Sequence, residues 1–184
     1  MIVILGASAS GKSTLAKDLI NSSPEYRRIV TYTTRPMRPG EQQDVDYHFI
    51  SEDKFREMIN DGEFAEYNVY REWYYGTALE DCVNNNHVVA VLTPAGLRCL
   101  RKCGVKTLAV YLYVDRMHRL VNSLQRGDNV DEAYRRNLSD VGQFDGVEDE
   151  VDAIIDNADF SIDRSDVLNT LYQIIDAYEA GELD

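Results

Sequence analysis

The stretch "ILGASASGKSTLAKDLI", residues 4–20, decides how the rest of the chain is read. It leaves an apolar run at Ile4-Leu5, crosses small residues to Gly11-Lys12-Ser13, and enters a segment with apolar Leu15, Ala16, Leu19 and Ile20. Gly6 to Ser13 fit the pattern G-x-x-x-x-G-K-[ST]. Small side chains at Ala7, Ser8, Ala9 and Ser10 let successive backbone N–H groups converge on phosphate oxygens. The helix that follows turns its unsatisfied amides and positive dipole end toward the same anion. In such a loop Lys12 reaches the β- and γ-phosphates and the Ser13 hydroxyl ligates Mg²⁺. Residues Gly6 through Thr14 therefore read as a site for an ATP-type triphosphate.

Working outward, further unbroken apolar runs stand at 88–92 (VVAVL), 108–114 (LAVYLYV) and 153–155 (AII). Runs without alternation suit strands covered on both faces of a parallel sheet. Helical periodicity fills the intervals at 13–20, 95–103, 117–125 and 167–178, the last with Ser165 as its expected cap and Gly181 beyond its end. The alternation predicts an α/β fold, a three-layer parallel-sheet phosphate-loop architecture with right-handed crossovers. Residues 31–77 break it: a Thr-, Pro- and Gly-rich stretch passes into the aromatic "EFAEYNVYREWYYGT", which reads as an inserted, mainly antiparallel lobe. The single domain then divides into a core (1–30, 78–115 and 141–184), that lobe, and a lid at about 116–140.

The formal charge is −13, from 19 basic and 32 acidic side chains. Seventeen of the acids but only three of the bases lie in residues 128–184, so the acidity belongs to the last third of the chain. A nucleic-acid backbone needs a basic footprint, which this composition does not offer. No apolar run approaches membrane-spanning length, and the N-terminal "MIVILGA" lacks the basic start of a signal peptide. A cytoplasmic location is expected. Cys82, Cys99 and Cys103 form no metal-type array and read as small apolar packing residues. His48, His87 and His118 show no nucleophile–base spacing.

The segments "TYTTRPMRPGEQQDVDYHF" (31–49), "GEFAEY" (62–67) and "YYGT" (74–77) resemble guanylate kinase. With the phosphate loop, "QRG" (125–127) and "DEAYRRNL" (131–138), the resemblance covers nearly the whole chain. It implies that Arg35, Arg38, Tyr47 and Tyr75 hold the phosphate of a nucleoside monophosphate. Paired guanidiniums suit a dianion, and phenols add neutral donors. It further implies that Thr31, Glu66 and Thr77 read guanine. One carboxylate can accept both N1–H and the N2 amino group, whereas adenine presents an acceptor at N1 and would be repelled.

The chain departs from the family pattern in two places. Where aspartates near the end of the 88–92 strand assist the metal and the guanine amino group, it has Val91 and Thr93. Thr93 can offer one hydrogen bond, and Ser13 is left as the expected metal ligand. In the lid, Arg126 and Arg136 (or its neighbour Arg135) match family arginines that neutralise charge during transfer. A third family arginine falls on Asn122, with Arg119 one turn earlier as a substitute. Asn157 falls where the family contacts adenine. The expected activity is ATP- and Mg²⁺-dependent phosphorylation of GMP or dGMP, with Lys12, Arg35, Arg126 and Arg136 in the catalytic roles. Two alternatives are a same-fold kinase for another (deoxy)nucleoside monophosphate or a phosphorylated sugar, and a non-catalytic interaction module. The intact phosphate loop opposes the latter. Neither nucleic acid nor membrane is expected as a partner.

Overall fold

The computed structural model describes residues 1–37, 40–70, 72–82 and 87–183. Ile2, Val3, Ile4 and Leu5 are at most 3 % exposed and form β1 (Ile2–Leu5), which leads through the glycine loop into α1 (Lys12–Ser22) and β2 (Arg27–Arg28). Then come β3 (Tyr32–Thr33), β4 (His48–Phe49), α2 (Glu52–Asn60), β5 (Phe64–Tyr70) and β6 (Trp73–Ala78). The chain continues through α3 (Leu79–Cys82), β7 (Val88–Val91), α4 (Pro94–Lys102) and β8 (Leu108–Tyr113). Two consecutive helices, α5 (Arg116–Gln125) and α6 (Val130–Ser139), precede β9 (Ala153–Asp156) and α7 (Arg164–Glu179).

One sheet has the order β2-β7-β1-β8-β9, with every pairing parallel. The continuous apolar runs explain it, because β1, β7 and β8 are covered on both faces. On one face Val3, Leu5, Ala90, Ala109 and Tyr111 pack with Leu97 and Leu100 of α4. On the other, Ile2, Ile4, Val110 and Leu112 pack with Leu15 and Leu19 of α1 and Val167, Leu171 and Ile175 of α7. α7 starts at Arg164 with Asp163 as its N-cap, not at Ser165, and Gly181 beyond its end adopts φ +74°.

The second sheet has the order β4-β3-β6-β5. Its β3–β6 and β5–β6 pairs are antiparallel and its short β3–β4 pair is parallel. Its core is aromatic: Phe55 of α2, fully buried, stacks on Phe64 at 4.4 Å and lies 5.2 Å from Tyr74. The tyrosine-rich stretch thus builds an interior, with Tyr67 left half-exposed. α2 was not anticipated from periodicity, although its signals are in the sequence. Ser51 caps it by accepting the Lys54 N–H, acids Glu52 and Asp53 occupy the first turn, and Phe55 and Met58 are its buried pair.

The cysteines are all free. Cys82 is buried and its thiol is pushed up to about 12 by that burial, as fits an inert packing residue. Cys99 and Cys103 are exposed, so the expectation that all three pack inside fails for them. Both sit at the end of α4, whose apolar face is carried by Leu97 and Leu100.

Candidate active site

The loop after β1 takes its shape from two left-handed residues, Ala9 at φ +63° and Gly11 at φ +93°. Alternating handedness of this kind turns consecutive N–H groups to one side and makes an anion-binding concavity. Gly6 is required for a different reason. A Cβ there would stand 2.5 Å from Ser10 Oγ and 3.0 Å from the Leu112 carbonyl oxygen, and the latter is backbone and cannot yield. Lys12 donates from Nζ to the Ala7 carbonyl at 3.2 Å, which folds its side chain back over the loop. Burial pushes the Lys12 pKa down. The Asp140 charge opposes that, while Arg119, Arg136 and Arg126 add to the lowering. These influences place the two expected lid arginines in the electrostatic neighbourhood of the loop lysine.

A cleft of about 500 Å³ joins the loop to the second sheet. Gly6, Ser8 and Lys12 of the loop line it together with Thr31, Tyr47, Glu66 and Tyr75, Val91 and Thr93, and Arg136 and Asp140 at the end of α6. Glu66 is 9 % exposed and accepts the Thr77 hydroxyl hydrogen at 2.6 Å, so Thr77, fully buried, stands behind Glu66. Burial raises the Glu66 pKa, and the Thr77 bond partly offsets it. The Thr93 side chain caps α4 by accepting the Gly96 N–H at 3.2 Å, with Pro94 in the first turn.

Arg35 stands one layer back, buried, with its guanidinium 5.5 Å from the Tyr47 ring centroid and 5.6 Å from that of Phe49. It makes a forked pair with Glu41 at 2.7 and 3.0 Å. That hydrogen bond chiefly, with the Tyr75 phenol among the lesser causes, raises its pKa. Arg38 lies outside the described residues.

A second cleft of about 290 Å³ opens on the far side of the loop. Ser10, Gly11 and Thr14 meet Leu112, Asn157, Phe160 and Ile162 there. The Asn157 side chain is committed to its own loop: Oδ1 accepts the Ile162 N–H at 3.0 Å and Nδ2 donates to the Ile162 carbonyl at 3.2 Å. Ser13 is exposed at the start of α1. Among the described residues no group of three or more His, Cys, Asp or Glu could hold a metal ion. An exposed hydroxyl beside a phosphate loop fits a divalent ion that arrives on the nucleotide, not one caged by protein.

The lid arginines differ in placement. Arg126 is exposed and paired with Asp128 across the turn after α5. Arg136 reaches the cleft while bonded through Nε to Glu132 at 2.9 Å. Arg135 bonds the same carboxylate, and the two together, Arg135 first, hold the Glu132 pKa down at about 2. Arg119 is not a mobile substitute for the missing third arginine. It is buried, and it donates to the carbonyls of Val114 at 3.0 Å and Ser8 at 3.2 Å. Asn122, at the family's arginine position, donates to the Ala9 carbonyl at 3.0 Å. Both residues therefore brace the back of the phosphate loop. Asp140, which the sequence did not single out, bonds Ser8 across 132 residues, and a contact at that separation leaves no local pattern.

The sequence model of the guanylate kinase family matches residues 1–178. A guanylate kinase of Nostoc is 35 % identical over 165 residues, covering 87 % of this chain and 83 % of its own length. That of Salinibacter ruber is 30 % identical over 181 residues, covering 95 % and 96 %. The crystal structure of guanylate kinase from Anaplasma phagocytophilum superposes with a TM-score of 0.69 at 21 % identity, over 97 % of this chain and 85 % of that one, a likeness of fold. No described helix is long and apolar enough to cross a membrane. A glycine-shaped loop carrying Lys12 and a buried glutamate line one cleft within a matching fold and sequence frame: the chain belongs to the guanylate kinase family, nucleoside monophosphate kinases that phosphorylate GMP with ATP.

Proposed function

We propose that this chain transfers the γ-phosphoryl group of ATP to GMP or dGMP, with the donor on the loop of residues 6–14 and the acceptor against the second sheet. One observation carries the reading: Lys12 and Glu66 line the same cleft, so the loop lysine and a buried carboxylate share one cavity. Two N–H donors of guanine suit the buried Glu66 carboxylate, whose oxygens meet one donor among the described residues, Thr77. Adenine would leave that carboxylate facing an acceptor, a costly arrangement in a desolvated pocket.

The Lys12 ammonium and the loop amides hold the donor phosphates. Tyr47 and Tyr75 present phenols to the acceptor phosphate, with Arg35 behind them and Arg38 as its partner in the charge pairing. Arg136, and Arg126 on lid movement, leave their carboxylate partners for the charge that develops in flight. No general base is needed, since the attacking phosphate oxygen is already anionic. Mg²⁺ bound to the nucleotide would be held by the Ser13 hydroxyl and supplies charge neutralisation across the phosphates. The kinase for another monophosphate or a sugar phosphate is less favoured, because Glu66 and Thr77 form a purpose-built acceptor pair.

The test is ADP release from ATP with a panel of GMP, dGMP, AMP, dTMP, CMP and ribose phosphates. Turnover highest with GMP or dGMP is expected. Preference for a non-guanine acceptor overturns the base assignment, and turnover with none overturns the kinase reading.

A further inference from the structure

The end of α6 grips the phosphate loop by an ion-paired clip. Asp140 Oδ2 accepts the Ser8 N–H at 2.8 Å and its Oδ1 accepts the Ser8 hydroxyl hydrogen at 3.2 Å. Arg119 Nη1 bridges the same pair, donating to Asp140 Oδ2 and to the Ser8 carbonyl, each at 3.2 Å. The side chains of Arg119 and Asp140 are only 10 % and 12 % exposed. Ser8 is thereby held at its amide, its carbonyl and its hydroxyl. Asp140 also caps α6 through its own N–H, which donates to the Arg136 carbonyl at 3.1 Å. One helical turn therefore separates the residue that clips the loop from the arginine that enters the cleft.

We infer that Asp140 is a positioning residue, fixing the C-terminal turn of α6 to the phosphate loop so that Arg136 meets the transferred group. The inference rests on the proposed role of Arg136. Charge–charge attraction in a largely desolvated setting makes this clip stiffer than a surface ion pair, and both carboxylate oxygens are used. Asp140 lines the cleft, and Arg119 and the two Ser8 donors offset its charge there. An arginine on a ten-residue helix pinned at that end is presented at a defined distance from Lys12. Placement of this kind matters most in the transition state, where charge moves and contacts tighten.

The experiment is a double-mutant cycle on Asp140→Ala and Arg136→Ala, read as kcat and KM for ATP and GMP, with melting curves for each variant. Asp140→Ala is expected to lower kcat about 10- to 100-fold while both KM values stay within about threefold. In the Arg136→Ala background, the same substitution should lower kcat by no more than about threefold, because its effect is exerted through the arginine. If Asp140→Ala does not fold, Ser8→Ala keeps the Asp140–Arg119 pair and removes one bond of the clip. It should cost kcat a few-fold, and only when Arg136 is present. Fully additive losses, or a markedly lower KM for ATP in Asp140→Ala, overturn the inference, the latter marking the carboxylate as a competitor of phosphate. An Arg136→Ala enzyme that turns over at the wild-type rate instead overturns the lid reading, and the inference with it.

Discussion

Burial raises the Glu66 carboxyl above its ordinary range, and the hydrogen bond from Thr77 offsets only part of this. A carboxyl whose pKa is raised on folding costs stability at higher pH: below its ordinary value of 4.5 both folded and unfolded forms are protonated, and the cost grows as pH rises from there to the folded value. Glu66→Gln should therefore raise the melting temperature at pH 7, with the advantage vanishing below pH 4.5. Selectivity for GMP over AMP should fall by about 100-fold or more in the same variant, measured as the ratio of kcat/KM values. A variant no more stable than wild type at pH 7 contradicts the burial argument. Unchanged selectivity contradicts the base-reading argument. Thr93 offers a contrasting case, since its side chain caps α4. Thr93→Ala should cost about 1 kcal/mol of stability in denaturant titrations and leave KM for GMP nearly unchanged.

At the scale of elements, the loop between β1 and α1 carries two glycines for two separate reasons, and these can be told apart. Gly11 sits at φ +93° with only Leu112 near its missing side chain, at 3.9 Å. Gly11→Ala should cost about 1–2 kcal/mol from the left-handed backbone alone. Gly6→Ala meets a carbonyl oxygen at 3.0 Å and a hydroxyl at 2.5 Å, and the loop must move to admit it. It should cost about 1–3 kcal/mol and also raise KM for ATP, whereas Gly11→Ala disturbs stability first. Equal effects on KM would mean that the left-handed turn at Gly11 matters to phosphate binding as much as the close contact at Gly6. Helices α5 and α6 present the reverse of an ordinary amphipathic arrangement: polar Arg119, Ser123 and Asn137 are buried while Val121 and Leu138 are exposed. The buried polar face is what braces the loop, through Arg119 to Ser8 and through the 2.5 Å bond from Arg116 to Asn137 that ties the two helices together.

At the scale of the whole molecule, the proposed donor and acceptor sites belong to different sheets with different cores. The parallel sheet is packed with aliphatic side chains on both faces, and the second sheet around Phe55, Phe64 and Tyr74. Phe55→Ala removes a fully buried ring and should cost about 3–5 kcal/mol in the lobe. KM for GMP should rise roughly tenfold, while ATP affinity, followed by fluorescence titration, stays within about twofold. A parallel loss of both affinities would show that the two cores fold and bind as one unit.

The sequence by itself determined the donor half of this protein. Apolar runs with no alternation dictate doubly covered strands, and the phosphate loop's small residues, Lys12 and Ser13 stand within eight consecutive positions, so their chemistry is local. Tyr47, Glu66 and Tyr75, the proposed acceptor residues, stand out in the sequence only through a family resemblance, since composition alone leaves them as ordinary loop and strand residues. Only the tertiary structure decided that Arg119 is a buried brace and not a lid arginine, that Asn157 spends both side-chain groups on Ile162, and that Asp140 closes on Ser8. The physical reason is separation along the chain. Hydrogen bonds that span more than 100 residues, from Arg119 to Ser8 and from Ser8 to Asp140, are created by the packing of α5 and α6 against the loop, and no periodicity or local spacing encodes them.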